Sequence, residues 1–87
     1  VRPSDLAAAA RVRDDLRAGR ARERRIAAGV SGADMARVLR VTPQAVFWWE
    51  TGQSTPTAAH ALAYGRVLAA LTAPPPDPVL GFGAVSI

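Results

Sequence analysis

The stretch GVSGADMARVLRVTPQAVFWWETG, from Gly29 to Gly52, carries two sets of helix boundaries in close succession. Gly29 reads as a helix stop, and Ser31 has the short side-chain oxygen that caps the next helix by accepting one of its unsatisfied N–H groups. The spacing predicts a short helix from about Gly32 to Leu39, with Met35, Val38 and Leu39 on its inner face. A tight turn of three to four residues follows. Thr42 is again a good cap, and Pro43 suits a first helical position because its missing N–H would have no partner there. A second helix is therefore expected from Pro43 to about Thr51, stopped by Gly52.

Upstream, Leu6, Ala9, Val12, Leu16, Gly19 and Ile26 recur at helical spacing, and Ser4 or Asp5 can cap the segment, so residues 5–28 read as helical. Glycine inside a helix costs about 1 kcal/mol relative to alanine. Gly19 thus allows either one helix or two, a leading one to about Ala18 and a second from Arg20. Downstream, Gln53 to Pro56 is a loop, and Thr55 or Thr57 starts a helix reaching about Leu71, with Leu62, Val67, Leu68 and Leu71 available to the core. Ala73-Pro74-Pro75-Pro76-Asp77-Pro78 cannot be helical and reads as extended, and Val79 to Ile87 reads as a strand or a loose tail.

With 87 residues the chain has room for one small domain. Apolar residues make up 49% of it, many of them alanine, so the core is thin and helices are favoured. The absence of cysteine excludes a disulfide framework and thiolate metal sites, and the single histidine, His60, cannot build an imidazole cluster. We expect no metal and no cofactor. No long apolar run points to membrane spanning or export, so the chain reads as cytoplasmic.

The net charge is +4 and every cation is an arginine, whose planar fork suits phosphate oxygens. The excess is N-terminal: residues 1–30 carry eight arginines against Asp5, Asp14, Asp15 and Glu23. Arg17, Arg20, Arg22, Arg24 and Arg25 face only Glu23, a density that repels itself unless an anion relieves it. Nucleic acid is the first partner to consider, with a solvated arginine-rich helix face as the alternative.

Two short helices joined by a tight turn match the helix-turn-helix unit, whose second helix enters the DNA major groove. The particular residues go further. Gly29-Val30-Ser31, Met35-Ala36, Val41-Thr42, Val46, Trp49-Glu50-Thr51-Gly52 and Pro56 resemble the Cro and phage-repressor type of helix-turn-helix protein, over about Arg20 to Leu71. The resemblance implies an all-α fold: a compact helix-turn-helix domain (20–72) of four to five helices, with an N-terminal helical extension (1–19) and an extended Pro-rich tail (73–87). It also implies that Arg25 and Glu50 form a structural ion pair. Physics supplies a reason for the pair, since Glu50 falls on the inward arc with Val46 and an unpaired carboxylate there would be costly.

At about 100° per residue, Thr42, Trp49 and Glu50 lie close to Val46, while Gln44, Phe47, Trp48 and Thr51 face outward. In the resembled family this outward face reads bases. Gln44 is the first candidate, because a carboxamide can bond adenine N6 and N7 bidentately; Pro43, Phe47 and Trp48 complete the base-reading set. The aromatic pair has three readings: contact with thymine methyls, a protein partner, or folding back on the next helix or the N-terminal segment. Phosphate contacts are expected from Arg20, Arg22, Arg40, Ser31, Thr42, Thr51, Gln53, Ser54 and Thr55. Gly32 stands where the family often has a glutamine, and Arg40 where it often has a left-handed glycine. The family's usual fifth helix is not visible, which leaves the dimer interface open.

The leading reading is a sequence-specific double-stranded DNA-binding regulator of transcription, a repressor or Cro-like protein of phage or mobile-element type, acting as a homodimer. The alternative is an antitoxin or other interaction module that captures a protein partner through its C-terminal tail. An enzyme is the weakest class, with no nucleophile triad, paired carboxylates or complete nucleotide fingerprint around Gly81-Phe82-Gly83.

Overall fold

Gly19 decides how the arginine-rich N-terminal half is laid out. In the computed structural model, which describes residues 2–72, Gly19 takes a left-handed conformation (φ 84°) and breaks the segment in two. Helix α1 runs over Pro3–Ala18 and α2 over Arg20–Ala27. The other elements are α3 (Gly32–Leu39), α4 (Pro43–Glu50) and α5 (Ala58–Thr72), with no strand among the described residues. Over the described residues the fold is all-α, with five helices around one core. The expectations for residues 73–87, extended Pro-rich segment and apolar tail alike, lie outside the described residues.

Helix boundaries follow the capping chemistry. Ser31 Oγ accepts the Asp34 N–H at 3.0 Å and Thr42 Oγ1 accepts the Ala45 N–H at 3.1 Å, so α3 and α4 begin at their caps. Thr57, rather than Thr55, caps α5, accepting the His60 N–H at 3.2 Å. Helix α1 starts before the expected Ser4 or Asp5 cap: Pro3, with its preset φ, takes the first position. The Asp5 carboxylate instead accepts the Arg2 N–H at 3.4 Å. Helix α4 ends at Glu50, and Thr51 is its capping residue.

The core is built around Leu16, Met35, Val46 and Tyr64, all fully buried, with Leu39, Trp49 and Leu68 beside them. Helix α1 lies along α5 and contributes Leu16 to that core. The two helices approach closely at Gly65, where an added Cβ would stand 2.7 Å from Val12 Cγ2.

Several apolar residues expected inside are not. Leu6, Ile26 and Val38 are 53%, 51% and 65% exposed. The phase that joined Ile26 to Leu16 assumed one continuous helix, and the left-handed turn at Gly19 resets it; on α2 the buried positions are Ala21 and Arg25. On α3 the buried arc is Met35, Ala36 and Leu39, and Val38 lies about 110° from its centre. On α5 the buried row is Ala61, Tyr64 and Leu68, which leaves Leu62 and Val67 half-buried and Leu71 exposed. Among the described residues, no helix is long and apolar enough to cross a membrane.

Candidate nucleic-acid interface

The turn between α3 and α4 fixes their relation. Arg40 sits in the left-handed region (φ 60°, ψ 43°), where a side chain costs about 1 kcal/mol. The return is a closed helix end: the Val41 N–H reaches back to the Ala36 carbonyl at 2.9 Å, and Val41 packs against the core. The same closure ends α2, where the Val30 N–H donates to the Arg25 carbonyl at 3.1 Å across Gly29. Arg40 therefore does a glycine's backbone task while holding a guanidinium in solvent at the head of α4.

One face of α4 is tied down through Glu50. Its carboxylate is held by Arg25 in a two-pronged pair, Nε to Oε2 and Nη2 to Oε1, each 2.8 Å. Arg25 also donates from Nη1 to the Val30 carbonyl at 2.7 Å, which ties the start of α3 to the same guanidinium. Tyr64 of α5 donates its hydroxyl to Glu50 Oε2 at 2.6 Å. Arg25 and Glu50 are both buried, so their charges survive there only because each satisfies the other. The hydrogen bonds that Arg25 donates to Glu50 raise the Arg25 pKa above its ordinary value, against the opposing effect of burial. Burial, and then the hydrogen bond to Glu50, push the Tyr64 hydroxyl well above the usual tyrosine range. No buried side-chain polar atom among the described residues lacks a partner. Beside this cluster Trp49 packs against the His60 ring, centroids 5.5 Å apart.

The other face of α4 is open. Gln44 is exposed, and so are Phe47 at 53% and Trp48 at 43%. The rings do not fold back into the core. Pro43 and Phe47 line an open groove together with Gly32 and Ala33 of α3, Arg22 and Glu23 of α2, and Glu50.

The expected phosphate ligands fall into two groups. Arg22, Arg40, Ser31, Thr42, Ser54 and Thr55 are exposed. Arg22 lies along the groove, its Nε 3.9 Å from Glu50 Oε1 and its side chain 57% exposed. Ser31 and Thr42 stand at the N-termini of α3 and α4, where helix dipoles favour anions. Arg20 is instead engaged by Asp15 at 2.8 Å, and Thr51 and Gln53 are tied to each other. The Thr51 hydroxyl donates to the Phe47 carbonyl at 2.8 Å and accepts from Gln53 Nε2 at 2.9 Å, so both side chains brace the end of α4. Elsewhere on α3, Arg37 pairs with Asp34 at 2.8 Å, and Arg37 and then Ser31 hold the Asp34 carboxyl below its ordinary pKa.

Two participants escaped the sequence reading. Tyr64 completes the shell of Glu50; its position one turn from Ala61 and Leu68 was the available signal. Arg13, whose Nε donates to the Pro56 carbonyl at 3.0 Å, pins the loop after α4 to α1, a long-range contact that no local pattern announces. Among the described residues, no group of three or more histidines or acids could hold a metal ion.

No curated protein and no solved structure matches the chain. A family model does, that of a helix-turn-helix domain, over residues 16–77. This span takes in α2 to α5, including the capped pair α3 and α4 and the ion pair that orients them, and the chain belongs to the helix-turn-helix domain family of DNA-binding proteins.

Proposed function

We propose that this protein is a sequence-specific regulator of transcription of the Cro and phage-repressor type, which lays α4 in the major groove of double-stranded DNA. The observation that carries this reading is the division of α4: Glu50 and Trp49 are locked inward while Gln44, Phe47 and Trp48 stand outward at the front of a helix-turn-helix. Gln44 is the hydrogen-bonding reader, its carboxamide matched to adenine N6 and N7. Pro43, Phe47 and Trp48 form the apolar part of the reading surface.

Arg22 and Arg40 grip phosphates on either side, with the capping hydroxyls and first amides of α3 and α4 adding neutral donors. The braces at Thr51 and Gln53 position the end of α4 and leave Ser54 and Thr55 for the backbone. Because Gly32 offers no side chain, affinity leans on arginine and is correspondingly salt-sensitive. Two copies bind as a two-fold dimer on half-sites about one helical turn apart.

The test is selection of bound duplexes from a random pool by the full chain, followed by polarisation titrations over a range of salt. We expect a recurrent palindromic sequence and an affinity that falls steeply with salt. Failure of every duplex to bind at low ionic strength would overturn the proposal.

A further inference from the structure

We infer that Phe47 and Trp48 form a sensor for the C5-methyl group of pyrimidines, so that the protein responds both to thymine and to methylation of cytosine at C5. The inference rests on the DNA-binding reading above and deepens it by naming the chemical feature of the duplex that is read.

Gln44, Phe47 and Trp48 are spaced i, i+3 and i+4, which places them on one patch of α4. Both rings stay half in solvent while the neighbouring Trp49 is 6% exposed, so the exposure belongs to this face and not to the segment. The backbone beneath them is pinned. The Thr51 hydroxyl donates to the Phe47 carbonyl at 2.8 Å, and the Gln53 and Ser54 N–H groups donate to the Trp48 carbonyl at 2.9 and 3.2 Å. The rings are thus displayed from a fixed frame, which lowers the ordering cost of binding.

The residues that line the groove with Phe47 are as informative. Gly32 and Ala33 supply no side-chain donor or acceptor, and a Cβ added at Gly32 would meet nothing within 4 Å. The side chains of Gly32, Ala33, Pro43 and Phe47 therefore offer no hydrogen-bonding group to the polar edge of a base. The one apolar group that a base pair presents in the major groove is the C5-methyl of thymine, which 5-methylcytosine shares. The setting favours a nucleic-acid occupant over a protein one: Arg22, which lines the groove with Phe47, and Arg40, which caps α3 ahead of α4, are both exposed cations.

The experiment uses the full chain and a duplex recovered by selection. Each thymine is replaced in turn by deoxyuridine, which keeps the hydrogen-bonding edge and removes only the methyl. Separately, cytosine and 5-methylcytosine are compared at the positions that respond. Removing a contacted methyl should weaken binding about fourfold, the loss expected for one buried methyl group, and 5-methylcytosine should bind about fourfold more tightly than cytosine. Phe47→Ala and Trp48→Ala, both at exposed positions, should erase these differences while leaving the melting temperature unchanged.

Equal affinity for thymine and deoxyuridine duplexes at every position would overturn the inference and leave the DNA-binding reading intact. So would aromatic variants that keep the methyl response, or that change self-association and not DNA affinity, which would assign the patch to a protein contact. No binding to any duplex would overturn both readings.

Discussion

Trp48 keeps 43% of its surface in solvent and Trp49 only 6%, although they are consecutive residues on one eight-residue helix. The faces they occupy differ in more than exposure. On the inner face the partners come from other helices: Arg25 from α2 and Tyr64 from α5 converge on Glu50, and Trp49 lies against His60. On the outer face, none of the hydrogen bonds or ring contacts among the described residues engages the side chains of Gln44, Phe47 or Trp48. A helix this short has little stability of its own. Its inner face therefore sets its orientation, and its outer face is free to carry chemistry.

Substitutions on the inner face should cost stability, and the largest cost is expected at Glu50. Glu50→Ala leaves the Arg25 guanidinium buried without its carboxylate, and urea denaturation should show a loss of about 3–5 kcal/mol. A loss under about 1 kcal/mol would mean that the pair is not what orients α4. Tyr64→Phe removes one hydrogen bond to the same carboxylate and should cost about 1.5–3 kcal/mol. It should also change the pH profile. Because the folded-state pKa of Tyr64 is raised, the unfolded chain releases a proton above about pH 10 that the folded chain retains. Tyr64 thus stabilises the fold fully below that range and loses its contribution as pH rises through the folded-state value. Wild type should weaken in alkali more steeply than Tyr64→Phe, as followed by thermal melts at stepped pH.

Arg40, at the hinge between the two helices, sharpens the comparison because it serves both sides. Arg40→Gly should relieve the left-handed strain and raise stability by about 1 kcal/mol. The same change should weaken binding to all duplexes alike and shallow the salt dependence by about one phosphate contact. The smallest effect on stability belongs to the outer face: Phe47→Ala should leave the unfolding free energy within about 0.5 kcal/mol of wild type.

The boundaries of α3 and α4 were legible because they are local. Ser31, Thr42 and Pro43 act on amides within three residues, and glycine or its substitute at 29 and 40 ends the preceding helix by backbone conformation alone. The partnership of Arg25 with Glu50 was legible from the resemblance, and a carboxylate on an inward arc made sense only with a cation near it. Helical phase was less secure. It survives within an element and is lost across a break, which is why Ile26 was placed inward from a count that ran through Gly19. Long-range partners were not legible. Tyr64 was not among the residues singled out on α5, since only the tertiary packing of that helix brings its hydroxyl to Glu50. The outward direction of Phe47 and Trp48 was anticipated from angle alone, whereas their half-exposed state and the groove beside Phe47 required coordinates.

The account stands on the separation of base reading from phosphate gripping along α4 and its flanks. The most direct measurement titrates Gln44→Ala and Arg22→Ala against a selected duplex and its scrambled counterpart, each over a range of salt. Gln44→Ala should bind the two duplexes with similar affinity and keep the wild-type salt slope. Arg22→Ala should keep the preference, weaken both duplexes equally and flatten the slope by about one unit. A Gln44→Ala protein that discriminates as well as wild type, or two variants that behave alike, would contradict the account.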